Sequence, residues 1–331
     1  MNPTRRQFLG AGAATAVLGT AGCLDVIGLD DEAVDADGYA AFFPLWDFAE
    51  HVGGEAMSFT EPVGTGRMGH GWSPDATLVP DVASTEVFVY LDTPEFSWAQ
   101  DVARTLERDH PNVALVDLFE VGAAADDHEG ESHDDHEEEG HDGHSHVDHD
   151  PHVWLDPRRA EEMVRTLGEE LGEVDPDNES TFADNAAAYA EEIGAVDDRL
   201  TSLVEDATLD TAVLVGHNSF SYLAGRYDIT LETPVGISPN ASASQEDIGN
   251  LLDVIDQRGI DTVLYDPFES GASGEYPQLV QTVFENSEVS EAEPLTPLSG
   301  TTEQWADNDW GWTEQMTEIN IPSLEAALNP A

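Results

Sequence analysis

Short apolar runs bounded by acidic residues or proline, at residues 87–90 (Val-Phe-Val-Tyr) and 113–116 (Val-Ala-Leu-Val), predict buried strands. Between them Trp98, Val102 and Leu106 recur every fourth residue, one face of a helix over residues 98–108. The most regular stretch comes later. Phe182, Ala186, Tyr189, Ile193, Val196, Leu200 and Leu203 alternate spacings of four and three, a single stripe along a helix over residues 175–206. At ~1.5 Å per residue that helix is roughly 30 Å or more, long enough to link two domains, although an ordinary amphipathic surface helix has the same pattern. Beyond it, apolar runs at 211–215 and 262–265 flank a helix at 248–258. Strand–helix alternation on both sides predicts an α/β fold: two α/β lobes, 38–174 and 207–331, joined by a rigid spine helix with a cleft between them.

Residues 123–150 interrupt this pattern. The stretch is almost entirely His, Asp, Glu, Gly and Ala, and it carries His128, His133, His136, His141, His144, His146 and His149. Such a segment cannot bury a core and is expected to be a mobile loop, either an auxiliary metal collector or a solvated acidic spacer. A helix is expected from the segment at 150–157 to residue 171.

The first 23 residues belong to targeting. Thr4-Arg5-Arg6-Gln7-Phe8-Leu9 resembles a twin-arginine export signal, and the apolar stretch after it is too short for a membrane span. Thr20-Ala21-Gly22-Cys23 resembles a lipobox, with Thr20 where Leu is usual, so the Cys23 thiol is the expected lipid attachment point. Cys23 is also the only cysteine, which excludes an intramolecular disulfide and a Cys-based zinc site. Residues 24–37 read as a tether.

Charge then narrows the partners. Eleven basic residues, all arginine, face 69 acidic ones, a formal net charge of -58. That excludes nucleic acid as a partner, because phosphate contacts need basic side chains. The carboxylates are spread over the whole chain, as expected of a halophilic surface solvated in concentrated salt.

Outside the acidic run five histidines remain. His51 lies in a helical stretch and reads as structural, and His110 precedes a proline and reads as exposed. His70 follows a Gly-rich turn, His152 sits between a turn proline and an apolar segment, and His217 comes two residues after a strand. Ligands of open α/β sheets gather at the carboxyl ends of strands, and three imidazoles plus a fourth group suit zinc. Spacing alone does not bring these three together. Gly64-Thr65-Gly66-Arg67-Met68-Gly69 satisfies a dinucleotide fingerprint but is followed by His70, Gly71 and Pro74 rather than a helix, so that reading is rejected.

Longer motifs carry a resemblance. Phe42-Phe43-Pro44-Leu45, with Phe48-Ala49 and Val52-Gly53-Gly54, resembles the opening of the zinc/manganese receptor proteins of ABC importers. Gly69-His70-Gly71-Trp72-Ser73-Pro74, Asp150-Pro151-His152-Val153-Trp154-Leu155-Asp156-Pro157 and Val215-Gly216-His217-Asn218-Ser219-Phe220 resemble that family's three ligand segments. Gly236-Ile237-Ser238-Pro239 and the final Met316, Asn320 and Leu324 extend the match. The acidic His-rich insertion is typical of its zinc-binding members.

The resemblance implies a metal site of His70, His152 and His217. Two departures matter. Many members place an acidic residue near the first histidine, whereas Gly69 stands just before His70, and Thr296, in Leu295-Thr296-Pro297-Leu298, stands where many supply a ligand aspartate. The fourth position is therefore left to water, Glu293, Asp266 or Glu269. Histidine at 217, where manganese receptors of the family tend to carry Glu, favours Zn2+ over the alternative, Mn2+. The implied function is an extracytoplasmic, lipid-anchored, monomeric receptor that delivers the ion to an ABC permease and its ATPase, and not an enzyme. The alternatives are a zinc hydrolase built on the three histidines, and a surface metal buffer or cell-adhesion protein with no importer. Imidazoles of ordinary pKa predict loss of binding below about pH 6.5.

Overall fold

The computed structural model describes residues 36–124, 150–236, 242–270 and 275–329. The export signal, Cys23, the tether up to residue 35 and Ile237-Ser238-Pro239 lie outside the described residues. So does every histidine expected to collect auxiliary metal: His128, His133, His136, His141, His144, His146 and His149 all fall in the undescribed stretch 125–149.

The chain opens with β1 (Gly38–Ala40), α1 (Phe43–Gly53), β2 (Phe59–Thr60), α2 (Leu78–Val82), β3 (Val87–Tyr90), α3 (Ser97–Asp109), β4 (Ala114–Asp117) and α4 (Phe119–Ala124). The four strands form one parallel sheet in the order β2-β1-β3-β4. β1 and β3 are apolar and buried on both faces, as expected where helices cover a parallel sheet. The expected strand at 113–116 is β4, shifted by one residue. The segment at 150–157 is not the start of a helix. It makes a single 3-10 turn, Val153–Leu155, before α5 (Pro157–Val174), which starts where the Asp156 carboxylate accepts from the Arg158 N–H and Pro157 fills the first turn.

α6 spans Glu179–Asp206, 28 residues. All seven residues of its predicted stripe are buried. At ~1.5–3 kcal/mol for each large apolar side chain removed from water, that stripe rather than helix propensity holds α6 in place. Polar contacts fasten it on both sides. Toward α1, Tyr189 Oη donates to Asp47 Oδ2 at 2.5 Å and Asn185 Nδ2 to the Val52 carbonyl at 3.0 Å.

After α6 come β5 (Thr211–Val213), α7 (Ser221–Arg226), β6 (Thr230–Glu232), α8 (Gln245–Arg258), β7 (Thr262–Tyr265), α9 (Gln278–Asn286) and β8 (Glu291–Pro294). Here Asp197 of α6 receives Arg226 Nε and Nη2 at 2.9 and 2.7 Å and Tyr227 Oη at 2.5 Å. β5 pairs with β6 and β7 with β8, all parallel, and a bridge between Leu214 and Leu264 joins the two pairs. The helix expected at 248–258 begins at Gln245 because Ser244 and Asp247 form a reciprocal capping box. The chain closes with α10 (Glu303–Asp307), α11 (Trp312–Gln315), one π-helical turn (Met316–Asn320) and α12 (Ile321–Leu328). One core runs through the first sheet, α5, α6 and α12, and a smaller one lies under α8 and α9.

Candidate metal centre

The candidate ligands stand on loops beyond strand ends, where backbone polar groups no longer pair within a sheet. His70 lies in the loop after β2, and His217 makes an isolated bridge to Val235 just past β5. Asp266 follows β7 directly and opens the 3-10 turn Pro267–Glu269, its Oδ1 accepting from the Phe268 N–H at 2.8 Å.

Two histidines meet. The Nε2 atoms of His70 and His152 are 3.1 Å apart. Two imidazoles on one tetrahedral zinc, with bonds of ~2.0–2.1 Å, hold their nitrogens about 3.3 Å apart, so this pair already has ligand spacing. Asp150 sets it. Its Oδ1 lies 2.7 Å from His152 Nδ1 and accepts the His152 backbone N–H at 3.0 Å, while its Oδ2 accepts from the Ser221 hydroxyl. A carboxylate on Nδ1 fixes the tautomer that leaves Nε2 bare for a metal. The His70 ring stacks on Phe96 at 4.7 Å between centroids, and Phe96 in turn stacks on Phe42 at 4.2 Å.

The third histidine sits across from them, its ring 6.0 Å from that of His152. His217 is 3% exposed and its Nε2 has no hydrogen-bond partner, while Glu269 Oε1 stands 3.5 Å from its Nδ1. Among the described residues His217, Asp266 and Glu269 bring one ligand atom each within 4.8 Å of one another. Asp266 is buried with its Oδ2 unpaired, whereas the Glu269 side chain is 35% exposed. Glu293, the other fourth-ligand candidate, lies on β8 opposite Leu264 and outside this group.

Burial sets the protonation states. Loss of water, then the neighbouring His152 and His217, pull His70 down to about 2. Burial lowers His152 as well, although Asp150 works the other way. Burial pushes the Asp150 carboxyl up, but the hydrogen bonds and charge of His152 with the Ser221 bond more than offset it and hold the group below its usual value. Asp266 is pushed up to about 7 by burial, against the Phe268 N–H and His217.

The two departures have structural causes. A side chain at Gly69 would begin 2.8 Å from Phe96 and 2.9 Å from Phe42, so no acidic residue fits there. The Thr296 hydroxyl accepts the Leu298 N–H at 3.2 Å and donates to Gln315 at 3.3 Å, and its backbone pairs twice with Asn320 at 2.8 and 2.9 Å. It ties a loop to the C-terminal helix instead of facing an ion. His51 is structural: its Nδ1 lies 2.7 Å from the Asp47 carbonyl and its ring stacks on Tyr189 at 3.9 Å. His110, expected to be exposed, ends α3 half-buried, its backbone N–H closing on the Leu106 carbonyl.

Sequence reasoning missed several contributors. Asp150 stood inside the quoted motif, two residues before His152, and that spacing in a tight turn was its only signal. Trp312, which no motif singled out, donates its backbone N–H to Asp47 at 3.0 Å and its indole N–H to the Trp154 carbonyl at 2.9 Å. The loop before His70 is also pinned: Gly66 N–H donates to the Thr301 carbonyl at 2.7 Å and Gly69 N–H to Ser299 at 3.4 Å. Gly300 packs so close to the Arg67 carbonyl that a Cβ there would overlap it.

The family described as "Zinc-uptake complex component A periplasmic" matches residues 39–320. The zinc-binding lipoprotein AdcA of Streptococcus pneumoniae is 29% identical over 270 residues, 80% of this chain and 50% of that protein, so the chain spans about half the length of that relative. The high-affinity zinc uptake system protein ZnuA of Bacillus subtilis is 22% identical over 287 residues, covering 87% of this chain and 86% of that one. The crystal structure of the Zn(II)-bound ZnuA-like domain of Streptococcus pneumoniae AdcA shares the fold, with a TM-score of 0.70 at 23% identity over 89% of this chain and 99% of that chain.

Proposed function

The chain belongs to the zinc-uptake complex component A family, and from that premise we propose that it captures one zinc ion outside the cytoplasm and hands it to an ABC permease and its ATPase. The observation that carries the reading is the His70–His152 pair, Nε2 to Nε2 at 3.1 Å, facing a third buried imidazole whose Nε2 is unpaired. His70, His152 and His217 hold the ion, and the buried Asp266 oxygen completes the set. Three nitrogen donors favour zinc over manganese, which prefers carboxylate oxygen. The ligands come from both sides of α6, so the ion stabilises the arrangement in which the two lobes meet. Backbone bonds from Gly66 and Gly69 to residues 299–301 support that closed arrangement. Export by the twin-arginine signal and a lipid on Cys23 keep the monomeric receptor at the outer face of the membrane, and the His-rich stretch collects additional, weaker ions.

The test is zinc competition titration. His152→Ala and His217→Ala each remove a coordinating nitrogen and should weaken binding well over tenfold, whereas His51→Ala should leave it unchanged. Parent-like affinity in either of the first two variants overturns the site.

A further inference from the structure

The candidate ligands form two clusters. One is the His70–His152 pair, on the side of the first sheet, with His152 fully buried. The other is His217, Asp266 and Glu269, with ligand atoms within 4.8 Å of one another. The second cluster belongs to one rigid unit, because β5 and β7, which position its members, are bridged at Leu214 and Leu264 and again by the Val215 N–H on the Leu264 carbonyl at 2.8 Å. Two of its polar atoms, His217 Nε2 and Asp266 Oδ2, are buried and unpartnered. A buried polar atom without a partner is costly, so two of them on residues of one cluster point to a ligand that this cluster takes. Glu269 alone among the three is exposed, its side chain 35% accessible and 3.5 Å from the His217 ring.

We propose that His217, Asp266 and Glu269 form a loading site, which takes a divalent transition-metal ion from solvent through Glu269 before His152 and His70 capture it. This rests on the receptor reading above and adds an order to it. Glu269 can meet a hydrated ion without any movement of the lobes, and His217 then holds that ion beside His152, whose ring is 6.0 Å away. Exchange of Glu269 for the two neutral imidazoles completes transfer. No ligand has to enter a closed, water-free pocket alone, which keeps the desolvation cost of each step low. Glu269 therefore governs how fast the ion is taken up, and the histidine pair governs how tightly it stays.

The experiment uses the full chain with His128→Ser and the same change at His133, His136, His141, His144, His146 and His149, so that only cleft ligands report. Zinc binding is measured by chelator competition, and capture by stopped flow, with circular dichroism confirming the fold. His70→Ala/His152→Ala together should retain one zinc ion, held at least about a hundredfold more weakly than by the parent. Adding Glu269→Gln or His217→Ala should weaken that residual ion at least tenfold more. In the otherwise intact chain, Glu269→Gln should slow capture and release by the same factor, at least fivefold, because Glu269 touches the ion only on the way in and out. No residual ion in the double variant, or one indifferent to Glu269→Gln, overturns the loading site. Failure of the parent to bind zinc, or of His152→Ala to weaken it, overturns the receptor reading instead.

Discussion

The Asp150 carboxylate grips His152 twice, through Nδ1 at 2.7 Å and through the backbone N–H at 3.0 Å, so the imidazole that points at His70 cannot turn away. Its other oxygen reaches Ser221 on α7. One carboxylate thus sets the tautomer of a candidate ligand and ties it to the second lobe. Asp150→Asn keeps the shape but can present an amide N–H to Nδ1, which favours the wrong tautomer. Zinc affinity should fall about 10- to 100-fold, the usual cost of losing an outer-shell partner of a metal-ligating histidine, with little change in thermal unfolding of the metal-free protein. Calorimetric titration of the variant checks this; unchanged affinity would mean that packing alone orients His152.

The pH dependence moves from where ordinary imidazoles would place it. His70, down to about 2, stays neutral far below pH 6.5, and burial lowers His152 in the same direction although Asp150 opposes it. Asp266, at about 7, holds a proton that an arriving ion must displace. Zinc affinity should then fall about tenfold per pH unit below 7, one proton released per ion. Asp266→Asn should bind more weakly but with a flat profile over the same range. Competition titrations between pH 5.5 and 8 measure both slopes.

Metal-free stability should run the other way. Asp266 and Glu61 are both raised to about 7 by burial, above their unfolded values near 4. Between those values the folded chain binds more protons than the unfolded one, so stability falls as pH rises from about 4 to 7. Thermal melts of metal-free protein at pH 5.5 and 8 should show the higher midpoint at pH 5.5, and saturating zinc should reverse the order.

Gly300 is the closing contact between the His70 loop and the second lobe. Gly300→Ala places a methyl against the Arg67 carbonyl and should push the two apart, although it touches no ligand. Zinc should dissociate at least tenfold faster, about 1.4 kcal/mol or more lost from the closed form, with association nearly unchanged. Stopped-flow release into excess chelator reads this directly.

The excess of carboxylates predicts that salt stabilises the fold. Carboxylates outnumber arginines 69 to 11, and screening shortens from a Debye length of ~10 Å at 0.1 M salt to ~3 Å at 1 M. Between 0.1 and 2 M potassium chloride the unfolding midpoint should rise on the order of 10 °C. A flat midpoint would show that the acidic surface has little self-repulsion to relieve.

The sequence by itself determined the elements whose hydrophobic period is long or whose apolar run is sharply bounded. The α6 stripe, α3, β3, β7 and α8 were legible because each buries residues at a fixed repeat that no other local structure satisfies. β1, β2, β6 and β8 were not, since Gly-Tyr-Ala, Phe-Thr, Thr-Leu-Glu and Glu-Ala-Glu-Pro are not sharply bounded apolar runs and are too short to show a period. The three histidines were picked out by motif, and their isolated positions at 70, 152 and 217 carried no distance between them.

Only the tertiary structure decided how they group. It set the first two nitrogens at ligand spacing, put His217 with Asp266 and Glu269, and removed Glu293 and Thr296 from that group. It also made Asp150, Trp312 and Gly300 matter. Each acts on a residue far away in the chain or through a backbone atom, and neither leaves a mark on local composition. Periodicity records what a segment buries against the core as a whole. Coordination depends on which loops meet at the ends of two sheets, and that is fixed by the packing of both lobes on α6.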